Sequence, residues 1–154
     1  MEVKELDFRE MAPEDADAVE VVEKACFSIP WSRDSFWKEA ANENTLYLLA
    51  LDGERVIGFA TVSHRIFGAA ARYVQLVCLQ ISEEYRRQGI GRKLFSLACE
   101  EARRLGADKL YISAHSSKES QAAYRALGCT PAEEVNEELA AAEPFDVPME
   151  YRLS

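Results

Sequence analysis

The sequence predicts a mixed α/β domain, and three observations carry that expectation. Short β-rich runs alternate with segments whose apolar residues recur at helical spacing, in the order β-α-α-β-β-β-α-β-α-β-β. Two of the β-rich runs are joined by Asp52-Gly53, a hairpin signal. The run Tyr85-Arg86-Arg87-Gln88-Gly89-Ile90-Gly91-Arg92-Lys93 separates an apolar extended stretch over 74–81 from an amphipathic segment over 90–105, which reads as strand, turn and helix. At 154 residues, with no linker or repeat, the chain 1–154 is the size of one domain with a proper core.

Val3, Leu6 and Phe8 lie in a short, partly alternating segment that predicts the first strand. Pro13 suits the first turn of a helix, and Ala18, Val22 and Cys26 come after it at helical spacing. Pro30 ends that pattern, and Ser32 can cap a second short helix carrying Phe36 and Trp37. Residues 45–51 and 55–63 form the two arms of the hairpin, and 73–81 continues the sheet. In the helix after the glycine turn, Ile90, Leu94, Leu97, Ala98 and Leu105 share one face, and Gly106 ends it. A strand is expected over 110–113. A helix capped by Ser117 or Ser120 then runs to Leu127 and stops at Gly128. Alternation over 147–153 predicts the final strand.

Hydrophobic residues make up 48% of the chain and charged residues 29%, the balance of a soluble globular protein. The best apolar run, 46–51, is strand-sized and too short to span a bilayer. The first twenty residues carry several acids and no apolar signal core, so export is not expected. Cys26, Cys78, Cys99 and Cys129 are widely spaced without a CxxC pair, and the chain has two histidines. That argues against a metal site or a disulfide framework and for the reducing cytoplasm. A net charge of -9 counts against nucleic acid or an anionic membrane as a partner. The charge is uneven: Glu133, Glu134, Glu137, Glu138 and Glu143 share one segment with no base, while bases gather near the glycine turn. The acidic segment is either a solvated face or a collector of cationic amines.

The glycine turn is the most informative stretch. Two glycines two residues apart allow a tight turn with its amide N–H groups pointing outward. The start of the following helix adds positive partial charge, and Arg86, Arg87, Arg92 and Lys93 crowd around it. Such a turn can hold a pyrophosphate. A dinucleotide-binding turn wants three glycines in the first βα turn and an acid after the second strand, and a P-loop needs Gly-Lys-Ser/Thr, which is absent. A helix that merely starts with glycine beside solvated arginines is the bland alternative.

The spacing Arg86-x-x-Gly89-x-Gly91 resembles the signature of the GNAT superfamily of acetyl-CoA-dependent N-acetyltransferases, and the predicted element order is similar to that superfamily's over essentially the whole chain. The stretch Cys26-Phe27-Ser28-Ile29-Pro30-Trp31-Ser32 resembles the loop between the first two helices of ribosomal-protein-alanine N-acetyltransferases. The segment Ala123-Tyr124-Arg125-Ala126-Leu127-Gly128-Cys129 is similar to the superfamily's tyrosine-containing helix and its Leu-Gly-Phe ending, with Cys in place of Phe. Residues 89–128, with Glu143-Pro144-Phe145-Asp146 and Met149-Glu150-Tyr151, also resemble a group of bacterial GNAT proteins, so the chain is not placed in one subfamily.

The resemblance implies a mostly antiparallel central sheet with helices on both faces and a splayed strand before the glycine turn. It implies acetyl-CoA as donor. Backbone groups of Leu79, Gln80 and Ile81 would meet the pantetheine arm. Arg87, Gln88, Gly89, Ile90, Gly91 and Arg92 would wrap the pyrophosphate, and Ser117 stands where many relatives have an Asn touching the cofactor. Tyr124 matches the family's proton donor to the departing thiolate, and a phenol, which ionises near about pH 10, is protonated at neutral pH. Packing on an amphipathic helix is the other role for that tyrosine.

No general base is assigned. Ile112 stands where the ribosomal-protein-alanine enzymes carry Glu, and Gln75 and Gln80 occupy the strand where other relatives place one. His115, Glu83, Glu84, Asp146 and a water chain are the alternatives. Phe27, Trp31 and Trp37 either line an acceptor pocket or pack between helices and sheet. His64 reads as a strand-end surface residue and the cysteines as small core residues. The implied reaction moves an acetyl group to a primary amine by direct attack, the acceptor being a small molecule or a protein N-terminal amine. Transfer of a longer acyl group, or acyl-CoA binding without catalysis in a regulatory or interaction domain, are the other readings. The oligomeric state, homodimer included, is open.

Overall fold

In the computed structural model, which describes residues 6–12, 15, 45–53, 55–86, 88–114, 116–142 and 144–153, local sequence signals become elements close to where they were expected. The described strands are β1 (Asp7–Glu10), β2 (Thr45–Asp52), β3 (Arg55–Ser63), β4 (Tyr73–Ile81), β5 (Lys109–Ala114), β6 (Thr130–Pro131) and β7 (Val147–Arg152). The described helices are α1 (Ile90–Arg104), α2 (Lys118–Ala126) and α3 (Glu137–Ala142), with a single 3-10 turn at Glu83–Tyr85 before α1. The strands form one sheet in the order β1-β2-β3-β4-β5-β7-β6. β1–β2, β5–β7 and β6–β7 pair antiparallel, and β4–β5 pair parallel. The sheet is thus mostly antiparallel, as the resemblance implies. The two helices expected around Ala18 to Cys26 and around Phe36 and Trp37 lie outside the described residues, as do Phe27, Trp31, Arg87, His115 and Glu143.

The chain divides into two compact units, Met1–Thr61 with Cys78–Ala98 and Val62–Val77 with Cys99–Ser154. In the first unit, Gly53 takes φ +63, the left-handed geometry that Asp52-Gly53 predicts between β2 and β3. Met11, Tyr47, Leu49, Leu51, Val56 and Phe59 form a buried cluster with Cys78 against it, and the Tyr47 and Phe59 rings stack at 6.3 Å.

In the second unit, Phe67, Tyr73 and Tyr111 meet ring to ring at 5.6, 5.5 and 5.9 Å. β5 pairs with β7 from Lys109↔Arg152 to Ala114↔Val147.

Along α1, Ile90, Leu94, Ala98 and Ala102 are buried at four-residue steps, with Phe95 and Cys99 beside them. The helix ends at Gly106, whose φ is +87. The Gly106 N–H donates to the Arg103 carbonyl and the Ala107 N–H to the Ala102 carbonyl, both at 3.0 Å, which is a Schellman ending. α2 stops in the same way at Gly128: its N–H donates to Arg125 and the Cys129 N–H to Tyr124, both at 2.9 Å.

The expected order has two strands after α2, of which only the final one was given residues. The structure supplies the other as β6, two residues paired on β7, and adds α3 between them. Two residues are too few to show a period. α3 did carry a local sign, because the Asn136 side-chain oxygen caps it by accepting the Leu139 N–H at 3.0 Å.

Candidate active site

β4 carries the first half of the site. Its ladder with β5 runs from Tyr73↔Lys109 to Leu76↔Ile112, yet β4 continues to Ile81. From Val77 onward, its backbone groups stand outside that ladder, as a splayed strand requires. Leu79, Gln80 and Ile81, the predicted pantetheine contacts, are all half-buried there. Gly58 on β3 permits the close approach of this strand end. A Cβ at Gly58 would fall 2.8 Å from Ile81 Cδ1 and 2.9 Å from the Gln80 carbonyl oxygen. Sequence reading missed that role, although an isolated glycine inside a strand pattern is the usual sign of it.

Past Ile81 the chain turns under several restraints. The Ser82 N–H donates to the Ile57 carbonyl at 2.8 Å. Arg86 Nε donates back to the Ile81 carbonyl at 3.0 Å, so one of the four clustered cations is tied to the strand end. The Tyr85 hydroxyl donates to Asp52 Oδ2 at 2.6 Å. Arg55 lies 5.7 Å over the Tyr85 ring and 3.5 Å from the Glu84 carboxylate.

Gln88, Gly89, Arg92 and Lys93 are exposed, and Ile90 is buried. Gly89 takes φ +82, and nothing lies within 4 Å of a Cβ built on it. Its carbonyl accepts the Lys93 N–H at 3.1 Å, which makes Gly89 the cap of α1. The first amides of α1 have no intrahelical acceptor, and no acid in its first turn offsets the positive end of the helix. Gly91 differs from Gly89. It sits inside the helix, where an added Cβ would meet only Ile81 Cγ1 at 3.7 Å, an ordinary contact. Folding does not require a glycine there. The cradle opened by the two glycines suits a bound diphosphate, with Arg92 and Lys93 beside it.

The remaining predicted residues belong to the second unit. Ser117, rather than Ser120, is the cap of α2: its Oγ accepts the Ser120 N–H at 3.2 Å. Tyr124 is half-buried in the last turn of α2. α2 has no buried residue, so Tyr124 is not a core side chain. Ile112 is 1% exposed and supplies no titratable group. Gln75 and Gln80 are half-buried, Glu83 and Glu84 exposed and Asp146 half-buried. None of them is singled out as a base.

The acidic segment is not uniformly solvated. The Glu133 N–H donates to Glu150 Oε1 at 2.8 Å, and Lys109 Nζ lies 3.2 Å from the Glu133 carboxylate. Glu134 accepts the N–H groups of Ala69 and Ala70. Behind them Glu150, 5% exposed, accepts the Tyr73 hydroxyl at 2.7 Å and faces Lys109 Nζ at 2.6 Å. Burial pushes the Glu150 carboxyl up, but the donors on Lys109, Glu133 and Tyr73 outweigh it and hold the group below its ordinary value. Burial, then Glu150, pushes the Tyr73 phenol up to about 12. Lys109 is raised chiefly by its hydrogen bond to Glu150. The Asn136 N–H donates to the Tyr111 hydroxyl at 3.2 Å. Glu137 and Glu138 stay exposed.

His64 departs from the surface role expected of it. It is half-buried, with Nε2 3.1 Å from Glu101 Oε1. Cys99 and Cys129 are buried and Cys78 half-buried, all as free thiols. Burial pushes the Cys99 thiol up to about 11 and that of Cys129 to about 12, which leaves both unreactive. Among the described residues no group of three or more His, Cys, Asp or Glu side chains converges as a metal site would need, and no helix is long and apolar enough to cross a membrane.

Comparison with known proteins points the same way. The model of the acetyltransferase (GNAT) family matches residues 16–129. A Bacillus subtilis (strain 168) protein provisionally named a [ribosomal protein bS18]-alanine N-acetyltransferase is 28% identical over 125 residues, 80% of each chain. The PaiA N-acetyltransferase from Thermoplasma acidophilum, solved in complex with coenzyme A, has a TM-score of 0.76 at 17% identity, over 96% of this chain and 99% of that one. The ribosomal-protein-S18-alanine N-acetyltransferase from Escherichia coli has a TM-score of 0.73 at 19% identity, over 97% and 95%. At those identities the two structures speak for the fold.

Proposed function

We propose, from the premise that this chain belongs to the acetyltransferase (GNAT) family, that it is a single-domain enzyme moving an acetyl group from acetyl-CoA to a primary amine by direct attack. The observation that carries the reading is Gly91, a helical glycine whose missing side chain the fold itself does not need. Together with the open space around Gly89, it leaves a cradle at the positive end of α1 for a ligand anion.

Acetyl-CoA supplies the activated thioester. Gln88, Gly89, Ile90, Gly91 and Arg92, with Arg87, would hold its pyrophosphate, and the backbone of Leu79, Gln80 and Ile81 would pair with the pantetheine arm. Backbone N–H groups of that strand stabilise negative charge developing on an acyl oxygen. Ser117 offers a hydroxyl donor, and Tyr124 holds a phenolic proton for the departing thiolate. The acceptor is a small-molecule amine or a protein N-terminal amine, the second favoured by the names of the two ribosomal-protein relatives. The exposed Glu137 and Glu138 favour an acceptor that arrives as a cation. Free thiols at Cys78, Cys99 and Cys129 suit the cytoplasm.

The test is acetyl-CoA-dependent thiol release with a panel of amines: a polyamine, an aminoglycoside antibiotic and short peptides with a free N-terminal alanine. Release that depends on one of them is the expected result. Acyl-CoA binding without turnover of any amine would favour a binding domain instead, a second reading that rests on the buried Ile112 at the position where ribosomal-protein-alanine enzymes carry Glu.

A further inference from the structure

We propose that Tyr85, Asp52 and Arg55 act as positioning residues, a strut from the β2–β3 hairpin that sets the glycine turn in its anion-receiving geometry. The proposal rests on the reading that this turn binds the pyrophosphate of coenzyme A.

The turn itself has little packing. Gln88 and Gly89 are exposed, and among the described residues the nearest half-buried side chain before them is Tyr85. On the helix side the turn is anchored by the buried Ile90. On the strand side it is anchored by the Tyr85 hydroxyl, which donates to Asp52 Oδ2 at 2.6 Å in a partly buried setting. A hydrogen bond to an ionised acceptor is among the stronger kinds, and this one is short. Arg55 confines the ring from above, 5.7 Å from its centre, and also reaches Glu84 beside it at 3.5 Å. The exposed Arg55–Glu84 pair adds little energy by itself; its consequence is to restrict where the Tyr85 ring can go. Asp52 and Arg55 stand on either side of the hairpin turn that contains Gly53, whose φ is +63. The hairpin therefore braces the connection a few residues upstream of the amides that receive the anion.

Bracing matters because backbone N–H groups bind phosphate only when several point at one place. A turn that must order on binding draws that cost from affinity, and one already ordered does not. Loss of the Tyr85 hydroxyl should therefore weaken coenzyme A binding without touching any atom of the ligand.

Calorimetry with coenzyme A tests this. Tyr85→Phe removes only the hydroxyl, and its Kd should rise about tenfold, the scale of one charge-assisted hydrogen bond. Asp52→Ala should also weaken binding, and the loss in the double variant should be smaller than the sum of the two single losses, because both variants break this contact. Asp52→Asn keeps an acceptor oxygen without the charge and should recover part of the affinity. Pantetheine, which lacks the pyrophosphate, should bind parent and Tyr85→Phe equally when titrated by amide NMR shifts. Tyr85→Phe and Asp52→Ala binding coenzyme A as tightly as the parent would overturn the strut, as would an equal loss for pantetheine. A parent protein that does not bind coenzyme A overturns the functional reading instead, and that failure is recognisable because it needs no substitution.

Discussion

Gly91→Ala separates what the fold needs from what the ligand needs. Gly91 is the second residue of α1, and it is absent from the glycines with positive φ. A methyl group there meets Ile81 Cγ1 at 3.7 Å, with no clash. Alanine should therefore stabilise the helix by about 0.5–1 kcal/mol, through helix propensity and the smaller entropy of the unfolded chain. In a chain of 154 residues that raises the melting temperature by about 2–3 °C. The same methyl stands at the helix end that would face the pyrophosphate. Losing one or two charge-assisted amide contacts should weaken acetyl-CoA binding about ten- to a hundredfold. Gly89→Ala is the contrast. It has open space but φ +82, so an L-residue costs about 1–2 kcal/mol, and the melting temperature should fall while affinity also falls. Thermal unfolding without ligand and calorimetry with acetyl-CoA read the two effects separately. A Gly91→Ala protein that is more stable and binds acetyl-CoA as the parent does would refute the placement of the pyrophosphate. One that is markedly less stable would refute the steric reading of the turn.

Tyr124→Phe should lower turnover about a hundredfold with little change in acetyl-CoA affinity, and unchanged turnover where chemistry limits the rate would return Tyr124 to a packing role. Because Glu133 and Glu134 are engaged in hydrogen bonds, the electrostatic test belongs to the exposed Glu137 and Glu138. Their joint change to Gln should raise the amine KM and flatten its dependence on salt at saturating acetyl-CoA, since exposed charges act over roughly 8 Å at physiological ionic strength. An amine KM indifferent to both changes would make the segment an ordinary solvated face. Glu150→Gln removes the nearer of the two carboxylates on Lys109 and leaves the exposed Glu133 at 3.2 Å, so the denaturation midpoint should fall, read by chemical denaturation near neutral pH. The pH dependence has two limbs. Glu150 lies below its ordinary 4.5 in the fold, so its contribution is complete above that value and fades as pH falls through the folded one. Tyr73 rises from 10.0 to about 12, so its contribution is complete below the first value and fades toward the second. A Glu150→Gln protein with the parent's denaturation midpoint and acid limb would show the network to be marginal.

The parts legible in the sequence are those decided within a few residues. Asp52-Gly53 forces a left-handed tip, Gly106 and Gly128 end helices because an L-residue resists their positive φ, and four-residue steps of apolar side chains give α1 its buried face. The glycine turn belongs with them, since its chemistry is that of consecutive amides and a helix end. The resemblance to acetyltransferases began with that stretch and drew also on residues 26–32, residues 123–129 and the element order; the splay of β4 was implied only through the family.

Tertiary structure alone decided the rest. Nothing nearby in the chain announces the partners that Glu134 and the still exposed Glu133 reach. Their partners, Lys109 and the Ala69–Ala70 amides, come from strand and loop brought alongside by β-sheet register. Tyr73 and Glu150, separated by 77 residues, meet because β4, β5 and β7 are successive neighbours in the sheet. Asp52 and Tyr85 meet across 33 residues, and no local signal in the sequence announces the contact. Gly58 matters only through a neighbouring strand, since the carbonyl of Gln80 is 2.9 Å from where its Cβ would stand. Propensity and capping act between residues i and i+4, whereas a buried carboxylate needs donors from several strands at once, and only the packed sheet specifies which ones arrive.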